Sequence, residues 1–325
     1  MGAEKNRLLP VTQVGFLLVP DFGMLAFASA LDALRHANQI DESEHYRWKL
    51  ISSDGAPVKS SAGVSLPVDA PLEGSAELDI LLVVAGVGAE HVIDPRTLDG
   101  LRRLARRKLI VGGISLGSYL LARAGLLRGY RCTVHWENLS AFREEFPQLD
   151  VSDEVFEIDR DRMTCSGGTA SLDLMLQLIT DRQGALLAGR VADACILDRV
   201  RDSAEPQRMP LRVRVGVSHP KLLRAIELIE RSDDHRQSQS QLAKSVGLSE
   251  RQMERLFKKY LDTTPSRYAK DYRLRRGRDL LRQTRMNVID VAVACGFTTA
   301  SHFTKSYRDY FGVTPGDDRG LGARS

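Results

Sequence analysis

Residues 111–129 read VGGISLGSYLLARAGLLRG. An apolar run, two glycines, a serine, a third glycine and then a leucine- and alanine-rich stretch describe a buried strand turning sharply into a helix. Within it Gly113-Ile114-Ser115-Leu116-Gly117 fits G-x-S-x-G, a pattern that can present a side chain at the tip of a strand-to-helix elbow. Two other runs, VGFLLV (14–19) and DILLVVAG (79–86), are as continuously apolar as KLIVGG (108–113), and RWKLIS (47–52) reads as a further strand. Parallel strands look like this because both of their faces are covered. Met24, Phe27, Ala28, Leu31 and Leu34 place an apolar stripe on one face of an intervening helix. Such alternation predicts an α/β fold, a parallel-sheet sandwich of flavodoxin-like type with right-handed crossovers.

Ligands in these sheets sit at the carboxyl ends of the strands, where Ser115 lies. Gly112, Gly113 and Gly117 allow close backbone approach, and the first amides of the following helix would favour an anion. CSGGTASLDLML (165–176) reads as a second such place, with a strand ending at Cys165 and a helix starting near Thr169. A serine hydrolase of the elbow type needs an acid and then a distant histidine after the serine. His135 is only twenty residues on, and the later histidines lie at the edge of or inside a basic C-terminal region. The spacing therefore argues against a triad.

The chain has 325 residues, enough for about two domains, with 43% hydrophobic and 27% charged residues, as in ordinary globular proteins. No apolar run approaches the roughly 18–20 residues that span a bilayer, and no secretory signal is read at the N-terminus. Myristoylation would want Ser or Thr where Asn6 stands. Cys132, Cys165, Cys195 and Cys295 form no C-x-x-C pair, so no metal site or disulfide framework is expected, and a cytoplasmic location fits. Charge is uneven. Residues 1–215 carry 25 Lys+Arg against 29 Asp+Glu and residues 216–325 carry 21 against 13, for net charges of −4 and +8. A basic module is either a solvated surface or the footprint of a phosphate-backbone binder.

GISLGSYLLARAGLLRGYRCTVHW is similar to the elbow of the PfpI/ThiJ branch of the class I glutamine-amidotransferase-like superfamily, and the resemblance covers roughly residues 12–200. It implies a cysteine nucleophile at this turn, but Ser115 stands there. An acidic residue in the first helix, six positions before the match to Asp32, is Ala26 here. A hydroxyl without assistance is far less nucleophilic than a thiolate. The pocket is thus expected to hold a ligand without catalysis and without a cofactor. Ser115 and the Leu116 backbone would take a carboxylate, with His135, Trp136 and Glu137 nearby, a set that suits a zwitterion. Trp136 also reads as a core aromatic, His135 as a hydrogen-bonded structural histidine, and Glu137 as the start of a helix.

RDSAEPQRMPLRVRVGVSHP (201–220), with three prolines, reads as a linker, placed at 201–217 between a sensing domain (1–200) and a helical domain (218–317), with a tail at 318–325. Pro220 then opens a helix striped by Leu222, Leu223, Ile226 and Ile229. Next comes an internal repeat. GLSERQMERLFKKYLDTTP (247–265) aligns with GFTTASHFTKSYRDYFGVTP (296–315), Phe257, Tyr260, Leu261, Thr264 and Pro265 matching Tyr307, Tyr310, Phe311, Thr314 and Pro315. A short apolar helix precedes each copy, which makes an all-α domain with two helix-turn-helix motifs. Ser249 to Gln252 forms a capping box, and Thr298 or Thr299 caps the second copy. Candidate DNA contacts are Ser249, Glu250, Arg251, Gln252 and Arg255, then Thr298, Thr299, Ser301, His302, Thr304, Lys305 and Arg308. Arg and Gln read base edges, whereas Thr and Lys more often hold phosphates. The arginines of RYAKDYRLRRGRDLLRQTR (267–285) could line a phosphate backbone or a solvated face.

VAVACGFTTASHFTKSYRDYFGVTP (291–315) resembles the signature of the AraC/XylS family of bacterial transcription regulators, with Lys305 where Arg is frequent and Tyr307 where Phe is. The resemblance covers about residues 218–317. It implies two recognition helices in successive major grooves of double-stranded promoter DNA, ~34 Å apart. Together the two halves resemble the GlxA-type regulators. That resemblance implies an amine, betaine or amino-acid effector, control of a catabolic amine operon, recruitment of RNA polymerase as an activator, and a homodimer. The competing reading is an amidase or isonitrile-hydratase-like enzyme with a DNA-binding appendage.

Overall fold

The computed structural model describes residues 10–75, 77–89, 94–231, 238–284 and 286–322. The chain forms two compact units, Met1–Gln207 and Arg208–Ser325. The first is built on a seven-stranded sheet. Across it run Phe156–Asp159, Arg162–Cys165, Ile110–Ser115, Ile80–Ala85, Thr12–Leu18, Tyr46–Ser52 and Ala70–Pro71. The outer pair Phe156–Asp159 with Arg162–Cys165 is antiparallel, and the other pairings among these strands are parallel. The three most apolar runs are the three central strands, in register at Leu17, Val83 and Gly113. They can sit there because both faces are covered. Phe16, Leu18, Leu82 and Val84 pack under the helices Met24–Ile40, Ala170–Gln183 and Ala185–Ala194. Leu17, Leu81, Val83 and Val111 pack under Pro95–Ala105, Gly117–Arg123 and Leu139–Glu145. Each fully buried aliphatic side chain contributes about 1.5–3 kcal/mol relative to exposure.

The second unit is helical. Its helices are Leu211–Val215, Pro220–Arg231, Gln239–Ser245, Glu250–Leu261, Pro265–Gln283, Val288–Ala294, Ala300–Phe311 and Pro315–Gly322. The repeat seen in the sequence is a repeat in space. Phe257 and Tyr307 are each fully buried, and Tyr260 and Tyr310 are about equally exposed. Thr264 and Thr314 each accept an amide three residues on, ahead of Pro265 and Pro315. The chain leaves both Glu250–Leu261 and Ala300–Phe311 through a left-handed residue, Asp262 or Gly312. Among the described residues no helix is long and apolar enough to cross a membrane.

The structure adds detail to three of these readings. The division between the two units, at Gln207 and Arg208, falls within the 201–217 stretch read as a linker. Gln207 is bonded into the sheet unit, while Leu211–Val215 is a helix that packs on the core of the helical unit. The 318–325 tail begins inside the Pro315–Gly322 helix, and Asp318 is fully buried. The arginines of 267–285 are not all turned to a phosphate backbone. Arg273 donates to the Gly296 carbonyl and stacks on Phe297, and Arg278 and Arg282 hold Asp318.

Candidate functional site

Ser115 is the last residue of its strand, with φ +56°, and the helix Gly117–Arg123 begins two residues later. A left-handed serine at a strand end is strained, a cost that proteins carry at functional turns. Two glycines make the turn possible. A Cβ on Gly117 would stand 2.0 Å from the Val83 carbonyl oxygen, and one on Gly167 would stand 2.6 Å from Ser115 Cβ. Ser115 is half-buried between the loop after Ala85, paired to it in register, and the Ser166–Thr169 turn. Behind it Cys165 is fully buried, its thiol pushed up by desolvation, so it is no substitute nucleophile. Among the described residues no hydrogen bond joins Ser115 Oγ to a histidine or a carboxylate.

The predicted ligand residues fare differently. Leu116 N–H donates to the Ala85 carbonyl at 3.3 Å, and Tyr119 N–H donates back to Leu116. The Leu116 amide is therefore engaged in the protein. His135, Trp136 and Glu137 lie together on the segment after Arg131–Cys132, whose Thr133 carbonyl accepts Ser118 Oγ at 2.7 Å. Burial holds the His135 imidazole below its ordinary pKa, against the pull of Glu137. Its Nδ1 accepts the Glu137 amide at 3.4 Å, so the neutral ring carries its proton on Nε2. The 3.7 Å approach of the Glu137 carboxylate to Nδ1 is then no ion pair at neutral pH. Trp136 is 37% exposed and so is not a core aromatic. At the second anion place, 165–176, the Ala170 and Leu172 amides donate to the Gly167 and Thr169 carbonyls, each at 3.1 Å. Asp173 lies in the first turn of its helix and is bound by Arg201.

In the helical unit the caps form where the sequence puts them. Ser249 and Gln252 close a full capping box, and Thr299 rather than Thr298 caps Ala300–Phe311 by accepting the His302 amide at 3.1 Å. Gln252 Oε1 is thus committed to Ser249, which leaves its NH2 alone for a base. Glu250, Arg251 and Arg255 are exposed, as are Thr298, Ser301, His302, Lys305 and Arg308, while Thr304 is half-buried. The His302 ring packs edge-on against Phe297, 5.5 Å between centroids. Inward-facing Met253 and Phe257, and Phe303 and Tyr307, fix which faces remain outside. Glu254 escapes a reading that looks for basic residues, yet it is exposed at i+3 from Arg251. A carboxylate there can accept from the cytosine amino group.

Residues 242–320 match the model of a helix-turn-helix domain, and residues 12–181 match that of the DJ-1/PfpI family. The chain is 44% identical over 306 residues to the HTH-type transcriptional regulator CdhR of Pseudomonas aeruginosa, covering 94% of this chain and 91% of that protein. The chain belongs to the AraC-family transcriptional regulators that carry a DJ-1/PfpI domain. The HTH-type transcriptional regulator GlxA of Rhizobium meliloti is 34% identical across 95% of this chain and 96% of its own length. A crystal structure of an AraC family transcriptional regulator from Pseudomonas putida overlays with a TM-score of 0.53 at 30% identity, covering 57% of this chain and 99% of that one. The regulator is thus a DNA-binding protein.

Arg251→Ala is expected to weaken binding to a promoter fragment by ~1–3 kcal/mol and to relax selectivity at one base position. Lys305→Ala should weaken all sequences alike and lower the salt slope by about one charge. Footprints and salt titrations of both variants check this. A wild-type footprint with wild-type affinity for Arg251→Ala removes that residue from base reading.

Proposed function

We propose that the regulator activates a catabolic operon when a small amine, betaine or amino acid occupies the pocket beside Ser115, and that this domain binds without turning the molecule over. The observation that carries the reading is the elbow itself. Its left-handed turn and close-packed glycines present a hydroxyl where the resemblance implies a thiol, so the strained turn carries no thiolate nucleophile. The Ser115 hydroxyl and the Gly117–Ser118 amides would face a carboxylate, and Trp136 with Glu137 would face a cation. Binding shifts a two-state equilibrium only through unequal affinity for the two states. Action as a homodimer that recruits RNA polymerase completes the proposal, and a cytoplasmic location accords with DNA as the target.

Calorimetric titration of the full chain with arginine, carnitine and glycine betaine tests ligand binding, and heat from none of them removes this effector class. Ser115→Ala separates sensing from catalysis. The expected result is a reporter response that persists, with effector affinity weakened no more than about tenfold, the loss of one hydrogen bond. Consumption of amide or isonitrile by the wild type, abolished in Ser115→Ala, would establish the enzyme reading instead.

A further inference from the structure

Residues 199–207 carry the chain from the sheet unit to Arg208, where the helical unit begins. This strap is fastened at both ends. Near its start, the Arg201 backbone amide and guanidinium donate to the Asp173 carboxylate at 2.6–2.9 Å, and Nη2 also reaches Thr169 Oγ1 at 2.8 Å. Asp173 is 1% exposed, so Arg201 is the partner that neutralises it. Arg199, the strap's first residue, forks onto Glu205 with both bonds at 2.6 Å, and the Asp202 carboxylate accepts the Ala204 amide. At the end, Gln207 Nε2 donates to Thr133 Oγ1, Val134 O and Glu154 O, each at 2.9 Å. Gln207 Oε1 is buried without a partner among the described residues, which makes this the more easily rearranged fastening.

The two fastenings land on the two segments that frame the elbow. Thr169 closes the turn whose Gly167 abuts Ser115. Thr133 and Val134 immediately precede His135, and the Thr133 carbonyl holds Ser118. A molecule beside Ser115 would thus lie near the segments that hold the strap, and the peptide bond after Gln207 leads directly to the first residue of the helical unit. We propose that the 199–207 strap is the element that couples the Ser115 pocket to the DNA-binding unit, with Arg201 and Gln207 as its positioning residues. This rests on the sensing role proposed above and adds how occupancy is transmitted.

The test compares full-length wild type with Gln207→Ala and Arg201→Lys on a promoter fragment that the wild type recovers from sheared genomic DNA. With no small molecule added, Gln207→Ala is expected to weaken binding by about fivefold or more, the size of a typical coupling, although it touches no recognition helix. Arg201→Lys keeps the charge on Asp173, loses the fork and should show a smaller loss. Adding glycine betaine, carnitine or arginine should still raise the melting midpoint of Gln207→Ala while its DNA affinity no longer responds. Wild-type DNA affinity in both variants overturns the proposal. So does a lowered melting midpoint with unchanged affinity of the folded fraction, which is the mark of a purely structural contact. If no amine shifts the wild type, the sensing reading fails, and the effector-free comparison still decides whether the strap acts on DNA binding.

Discussion

Asp318→Ala lowers the stability of the helical unit by about 2–4 kcal/mol and abolishes promoter binding near its new melting point. Asp318 is fully buried, accepts from Tyr307 OH, and is held by Arg282 Nη2 at 2.6 Å and Arg278 Nε at 2.8 Å. It ties Pro315–Gly322 to Pro265–Gln283 and to Ala300–Phe311 at once. Removing it leaves two guanidinium groups and a phenol around an empty site. The two arginines keep 34% and 39% side-chain exposure, so water screens them and the loss falls toward the lower part of the range for a broken buried pair. Burial alone would raise the Asp318 pKa, but the hydrogen bonds from Tyr307, Arg282 and Arg278 outweigh it and hold the carboxyl below its ordinary value. The sign follows. A depressed folded pKa stabilises the fold fully above about pH 4 and loses that contribution as pH falls through the folded value. Thermal unfolding should show a midpoint roughly 10 °C lower at neutral pH, with the gap to wild type closing in acid. Tyr307→Phe, which removes one hydrogen bond, should cost about 1 kcal/mol. An Asp318→Ala protein melting with the wild type at neutral pH would show that the cluster is not what joins the last helix.

Gly117→Ala is expected to cost the sheet unit about 3 kcal/mol and to disrupt any pocket at Ser115. The added Cβ would stand 2.0 Å from the Val83 carbonyl oxygen and 2.9 Å from its carbonyl carbon. Val83 cannot yield, because it is fully buried and paired on both sides, with Leu17 and with Gly113. The helix must lift off instead, taking Leu120 and Leu121 from their packing, which is overpacking at the costly end. Gly189→Ala is the control. Its Cβ meets open space within the helix Ala185–Ala194, so it should be neutral or stabilise by about 0.5–1 kcal/mol. Chemical denaturation monitored on the sheet unit distinguishes the two. Equal midpoints for Gly117→Ala and wild type would mean that the elbow is far more pliant than its contacts require.

What could be read from the sequence is what local pattern dictates. Continuous apolar runs of strand length mark buried strands, so the three central strands and the position of Ser115 at a strand end were legible, whereas the order of the strands in the sheet was not. The repeat fixed both helix-turn-helix motifs, because caps, prolines and left-handed exits recur at a constant offset and each acts within a few residues of itself. Which side chains are spent internally was not legible. Asp173 and Arg201 are 28 residues apart, and Arg278 and Asp318 are 40 apart. A charged residue reads as a solvated face, a phosphate contact or a linker until the chain brings its partner within 3 Å. The same holds for the Leu116 amide, whose acceptor belongs to a neighbouring strand. Backbone periodicity is a local property and survives in one dimension. Electrostatic pairing and close packing are pairwise in space, and only the folded chain decides them.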